Sequence, residues 1–157
     1  MLSFLRHFLS LFVLVFYRLV FRVCHKHWGY FPLGKTKRAS KEHYLYLAEN
    51  AKKEILSEVD AYERETGYSI SSEWIDHLAL HTQVVVKKSP ICYGHGRILY
   101  SALSNYIKEK RLLGESEQIF VLETGTARGF SAVCMAKALE DLNQAGALIT
   151  IDLLPHK

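Results

Sequence analysis

An α/β fold is what the sequence predicts, and three observations carry that expectation. Residues 119–122, Ile-Phe-Val-Leu, form an apolar run of four, the pattern of a strand buried on both faces of a parallel sheet. Residues 147–152, Ala-Leu-Ile-Thr-Ile-Asp, supply a second strand with Asp152 at its tip. Between them lie a glycine-punctuated turn and a helix from Phe130 to about Asn143, with Ala132, Val133, Ala136 and Leu139 inward and Gly146 as its stop. The expected architecture is one βαβ unit, preceded by a helical lead-in and an N-terminal hydrophobic helix.

The composition is that of a globular chain: 157 residues, 49% apolar and 23% charged. The formal net charge of +4 is concentrated at the N-terminus. Residues 1–41 carry Arg6, Arg18, Arg22, Lys26, Lys35, Lys37, Arg38 and Lys41 and no acid, whereas from Glu42 onward acids outnumber bases. A basic head on a slightly acidic body points to an anionic membrane surface rather than to nucleic acid. Cys24, Cys92 and Cys134 are too scattered for a disulfide framework, and no CxxC pair offers a zinc site. They read as free thiols in a reducing cytosol.

Residues 1–23 read as a membrane-associating helix. Their apolar run, unbroken if serine is allowed, is Phe8–Tyr17, shorter than the ~20 residues that span a bilayer. Arg18, Arg22 and His7 gather on one side of a helix whose other faces are Leu, Phe and Val. That suits an interfacial helix or a short signal-anchor with snorkelling arginines, the body staying on the cytoplasmic side; a helix packed within the protein is the alternative. Residues 24–39 read as a basic linker; Cys24, His25 and His27 lack a fourth metal ligand.

The lead-in spans residues 40–114. Ser40 is expected to cap a helix reaching about Glu65, with Tyr44, Ala48, Ala51, Ile55, Val59 and Tyr62 along one face and Gly67 as its stop. Ser71 or Ser72 then caps a second helix bearing Trp74, Ile75, Leu78 and Ala79 on its apolar side. Residues 84–90 read as a short strand or a helix end. His95, flanked by Gly94 and Gly96, either reaches into an active site from a freely bending backbone or caps a turn. A third helix is expected from about Arg97 to Leu113, with Ile98, Leu99, Ala102, Leu103, Tyr106 and Ile107 buried and Gly114 closing it.

The chemistry resides in residues 115–157. Ligands of open α/β sheets bind beyond the carboxyl ends of the strands, where Glu123, the turn Thr124–Gly129 and Asp152 all fall. Gly125 permits a tight turn, and Gly129 permits close approach at the helix start. Asp152, 23 residues after Gly129, stands where such sites place a carboxylate for ribose hydroxyls. A dinucleotide fingerprint would need G-x-G-x-x-G, but the third glycine here is misplaced. Glu123 would also repel a pyrophosphate and welcome a cationic ligand. No Gly-Lys-Ser/Thr follows, which excludes a P-loop.

Val121-Leu122-Glu123-Thr124-Gly125-Thr126-Ala127-Arg128-Gly129-Phe130-Ser131 resembles motif I of class I S-adenosylmethionine-dependent methyltransferases, E/D-x-G-x-G/A-x-G. Ile149-Thr150-Ile151-Asp152 resembles the second-strand motif of the same Rossmann-like fold, and the Gly-Phe-Ser-Ala run is similar to small-molecule and sugar O-methyltransferases. The resemblance implies that Gly125, Ala127 and Gly129 line the methionine portion of the cofactor. It implies too that Glu123 faces the ammonium and Asp152 holds the ribose, with Thr126, Ser131 and Arg128 as further loop residues. Arg128 reads equally well as an exposed turn residue. The reaction implied is methyl transfer to an oxygen, in preference to a nitrogen, of a small molecule or sugar, with no metal ligand named and His95 the one candidate base. That fold has seven strands and two are present, so the sequence reads as a truncated enzyme whose βαβ unit leaves apolar surface exposed. A non-catalytic membrane-associated interaction module and a dinucleotide-binding oxidoreductase fragment are the rival readings.

Overall fold

The computed structural model describes residues 39–86, 90–115 and 117–152. The expected helix over residues 1–23, nearly all of the 24–39 linker, Lys87, Lys88 and residues 153–157 lie outside them. Among the described residues the fold is mixed α/β: α1 (Lys41–Ala51), α2 (Ser57–Thr66), α3 (Ser72–Thr82), α4 (Gly94–Leu112), β1 (Ile119–Thr124), α5 (Phe130–Asp141) and β2 (Gly146–Ile151). No helix among them is long and apolar enough to cross a membrane.

Local chemistry sets many of the boundaries. The Ser40 hydroxyl accepts from the His43 amide at 3.3 Å, and that of Ser71 accepts from the Trp74 amide at 3.4 Å, each satisfying an otherwise orphaned N–H. Gly67 ends α2 in the left-handed region at φ +77°, which glycine enters without penalty.

The single helix expected from Ser40 to Glu65 is instead two helices. No Gly or Pro lies at the break, Lys52–Leu56. Three-residue hydrogen bonds, from Lys53 N to Asn50 O and Glu54 N to Ala51 O, tighten the end of α1, and Leu56 takes φ −117°, ψ 72°. A straight rod would bury one continuous stripe. Breaking it lets α1 pack on α3 while α2 packs on α4. Ile55 is left 87% exposed, and Leu56 packs where a Cβ on Gly94 would come within 2.9 Å of its Cδ1.

The centre of the helical layer is α4, with α2 on one side and α5 on the other. It begins at Gly94, not near Arg97, so Gly94 and Gly96 lie inside its first turn. Their role is close approach rather than bending. A Cβ on Gly96 would stand 2.5 Å from Cε1 of Phe130 and 2.8 Å from Sγ of Cys134. The buried face runs through Gly96, Tyr100, Ser101, Ser104 and Ile107, whereas Ile98 and Tyr106, expected inside, are 40% and 45% exposed. Small residues let the helix backbones meet, which turns the larger apolar side chains outward. Arg111, near the end of α4, donates to the Leu142 carbonyl at 2.6 Å and so satisfies the end of α5.

Strands β1 and β2 pair in parallel from Ile119↔Gly146 to Thr124↔Ile151. Gly146 therefore opens β2 instead of ending α5, whose C-cap is Leu142. A Cβ there would meet the Ile119 carbonyl oxygen at 2.3 Å, which explains the glycine. Within α5, Ala132 and Leu139 face inward as expected. Val133 and Ala136 are exposed, and Phe130, Cys134, Met135 and Ala138 are buried in their stead. The sheet is covered on one face: Ile119 and Val121 are partly buried, while Phe120, Leu122, Ile149 and Ile151 are 67%, 65%, 53% and 55% exposed. The doubly buried strand is thus corrected, and the open apolar face expected of a lone βαβ unit is present. Residues 84–86 are neither strand nor helix, although Val84 is fully buried.

Two buried phenols make the fold sensitive to alkali. Burial pushes Tyr93 and Tyr100 up to about 12, aided in Tyr100 by the hydrogen bond its hydroxyl donates to Asp141 at 2.9 Å. An unfolded tyrosine releases its proton near pH 10. Between pH 10 and 12 the folded state therefore holds more protons, and stability falls as pH rises. A loss of roughly 1–3 kcal/mol per tyrosine is expected by pH 12, read as a falling urea midpoint that Tyr100→Phe flattens. A midpoint constant from pH 9 to 11.5 would contradict it.

Candidate functional site

Strand alternation gives Glu123 the same face as Ile119 and Val121, toward α5. There the Ser131 hydroxyl, in the first turn of α5, donates to Oε1 of Glu123. The second carboxylate oxygen, Oε2, is buried with no hydrogen-bond partner, as is the hydroxyl of Thr126. Unpaired buried acceptors of this kind are rare in folded proteins and mark a place for a donor.

The turn after β1 alternates through left-handed residues: Gly125 at φ +77°, Ala127 at φ +49° and Gly129 at φ +81°. Ala127 accepts a strain of about 1–2 kcal/mol in that region. Its amide donates to the Asp152 carboxylate, which holds the strained residue in place. The Gly125 amide donates to Ile151 O at 2.8 Å and extends the ladder one step past the strand. The Gly129 amide donates to Thr126 O at 2.8 Å and closes the turn. Space is open above both glycines, with nothing within 4 Å of where a Cβ would stand. Gly129 caps α5 without a side-chain hydrogen bond, so the positive end of the helix dipole is uncovered beside the Glu123 carboxylate. Arg128 is exposed.

The fold thus brings Glu123, Gly125, Thr126, Ala127, Gly129, Ser131 and Asp152 to one end of the sheet. Ser131 and Asp152 also hold the protein's own framework, through Glu123 and Ala127 respectively. His95 sits in the first turn of α4, exposed, its ring 4.9 Å from that of Phe130 at the start of α5. Among the described residues no cluster of three or more His, Cys, Asp or Glu side chains is arranged to hold a metal ion.

Sequence reasoning missed a cleft of about 370 Å³ on the helical lead-in, lined by residues from α1 to α4 including Asp76, Tyr93 and Arg97. No motif marks it, because its residues come from segments brought together by the break between α1 and α2. Comparison of the chain with family models, curated proteins and solved structures returned no match.

Proposed function

We propose that residues 119–152 form the S-adenosylmethionine half-site of a class I methyltransferase that moves a methyl group to an oxygen, in preference to a nitrogen, of a small molecule or sugar. The observation that carries this reading is Glu123: a carboxylate at the tip of β1, fixed by Ser131 through one oxygen and buried without a partner on the other. Its neighbours are an uncapped helix N-terminus and an open glycine turn. A negative group beside a positive helix end suits a zwitterion, such as the amino-acid portion of the cofactor.

The residues present fit such a cofactor. Glu123 Oε2 and the Thr126 hydroxyl would take N–H donors, the first-turn amides of α5 would face a carboxylate, and the side of the turn held by Asp152 would meet the ribose. When bound, the cofactor supplies an electrophilic sulfonium methyl. The chain's own contribution is positioning: Ser131 fixes the Glu123 rotamer, and Asp152 fixes the turn, so little reorganisation remains on binding.

Titrating the chain calorimetrically with S-adenosylmethionine and with NAD tests the reading. The first alone is expected to bind. Glu123→Gln keeps an acceptor for Ser131 but removes the charge, and it should weaken binding by about 10–100-fold, the worth of a charged hydrogen bond. Gly125→Arg should abolish it. NAD binding, or a Glu123→Gln variant that binds S-adenosylmethionine as well as the parent, refutes the proposal. The exposed Phe120, Leu122, Ile149 and Ile151 favour one second reading, a non-catalytic interaction module using the open sheet face. That module would bind neither ligand.

A further inference from the structure

We propose that the cleft on the helical lead-in binds a small organic cation, a primary ammonium carried on an apolar body. The cleft forms where α1 ends, α2 and α3 begin and the N-terminus of α4 closes in. Its volume of about 370 Å³ falls within the range of small-molecule sites, about 300–1,000 Å³. None of its residues belongs to the glycine turn, so this inference stands apart from the cofactor reading.

The charges of the lining select the sign of the ligand. Lys52 and Arg97 face Glu54, Asp60, Glu63 and Asp76. Both cations are already engaged: Lys52 with Glu49 at 2.7 Å, and Arg97 with Glu63 at 2.5 Å and Asp60 at 2.5 Å. Among the described residues Asp76 makes no hydrogen bond and no ion-pair contact, and burial raises its carboxyl above the ordinary carboxylate value, against the opposing pull of Lys52.

An independent observation is Tyr93. It lines the same cleft, is 6% exposed, and its hydroxyl is buried with no hydrogen-bond partner. Burial first, and then the charges of Asp76 and Glu49, keep that phenol neutral, so its oxygen can accept a hydrogen bond. An ammonium has three N–H donors. One would satisfy Asp76 and another Tyr93, while Leu56, Ile70 and Ile75 offer apolar surface to the body. A neutral alcohol would leave Asp76 without a hydrogen-bonded cation, and an anion would be repelled. The lining forms no metal-ligand cluster, so a molecule with N–H donors fits better than a bare metal ion.

The test is calorimetric titration of the full chain with benzylammonium, benzyl alcohol and benzoate. Saturable binding of benzylammonium alone is expected. Asp76→Asn should weaken it by about tenfold or more, and Tyr93→Phe by severalfold, with unchanged circular dichroism in both. Tyr93→Phe keeps the ring and removes only an unpaired hydroxyl, so it remains informative if Asp76→Asn is poorly folded. The proposal is overturned if benzyl alcohol binds as tightly as benzylammonium or if both variants bind undiminished. Absence of saturable binding up to concentrations on the order of 10 mM overturns it too.

Discussion

Gly96→Leu is expected to destabilise the chain by about 3 kcal/mol or more, the upper end of overpacking effects and a large part of a typical 5–15 kcal/mol stability. The reason is geometric. A Cβ alone would stand 2.5 Å from one Phe130 ring carbon, 2.8 Å from another and 2.8 Å from the Cys134 sulfur. Neither neighbour has room to yield: Phe130 is 1% exposed and Cys134 fully buried, the latter deeply enough that burial pushes its thiol up to about 12. Phe130 also follows Gly129 directly, so displacing its ring displaces the glycine turn. Gly96→Ala should lose less, because it brings only the Cβ against Phe130 and Cys134 and none of the further carbons of leucine. Urea unfolding of the two variants checks the order, and a Gly96→Leu midpoint equal to the parent's would mean that α4 and α5 do not approach this closely.

Arg97→Met carries the second large effect, about 2–4 kcal/mol, scaled down from fully buried pairs because the site is partly open. Arg97 bonds Glu63 through Nε at 2.9 Å and Nη2 at 2.5 Å, and Asp60 through Nη2 at 2.5 Å, joining α2 to α4. The arginine side chain is 23% exposed and Glu63 only 10%, so methionine would strand a nearly buried carboxylate. The paired carboxylates hold the guanidinium above its already high ordinary value, so the staple keeps its charge at any working pH. Pairing Arg97→Met with Glu63→Gln should recover part of the loss in a double-mutant cycle. If each single variant lost less than about 0.5 kcal/mol, the pair would be an ordinary surface contact.

Both residues show how far the sequence could be read. Caps and stops are local chemistry, and Ser40, Ser71, Gly67 and Gly114 act as their types suggest. The βαβ order was legible for the same reason: an apolar run, a glycine turn, a helix and a second run fit few arrangements. Glu123, the turn and Asp152 fall at one sheet end by the rule of parallel strands. The sequence suggests a freely bending backbone at Gly94 and Gly96 around His95, yet both are contact points, because a glycine's freedom to bend and its lack of a Cβ look identical in one dimension. The break at Lys52–Leu56 left no trace either, since no residue there opposes a helix.

Periodicity, caps and turn chemistry are properties of neighbours along the chain, so the amino-acid order sufficed for the α/β class, the parallel unit and the residues at its tip. Contacts between distant segments required the folded molecule. They set the bond from Ser131 that leaves one Glu123 oxygen unpaired, and the hold of Asp152 on a strained Ala127. They also set the cleft that Tyr93 and Asp76 both line. Each depends on which surfaces meet once apolar area is buried, a choice made by the whole packing and not by any one segment.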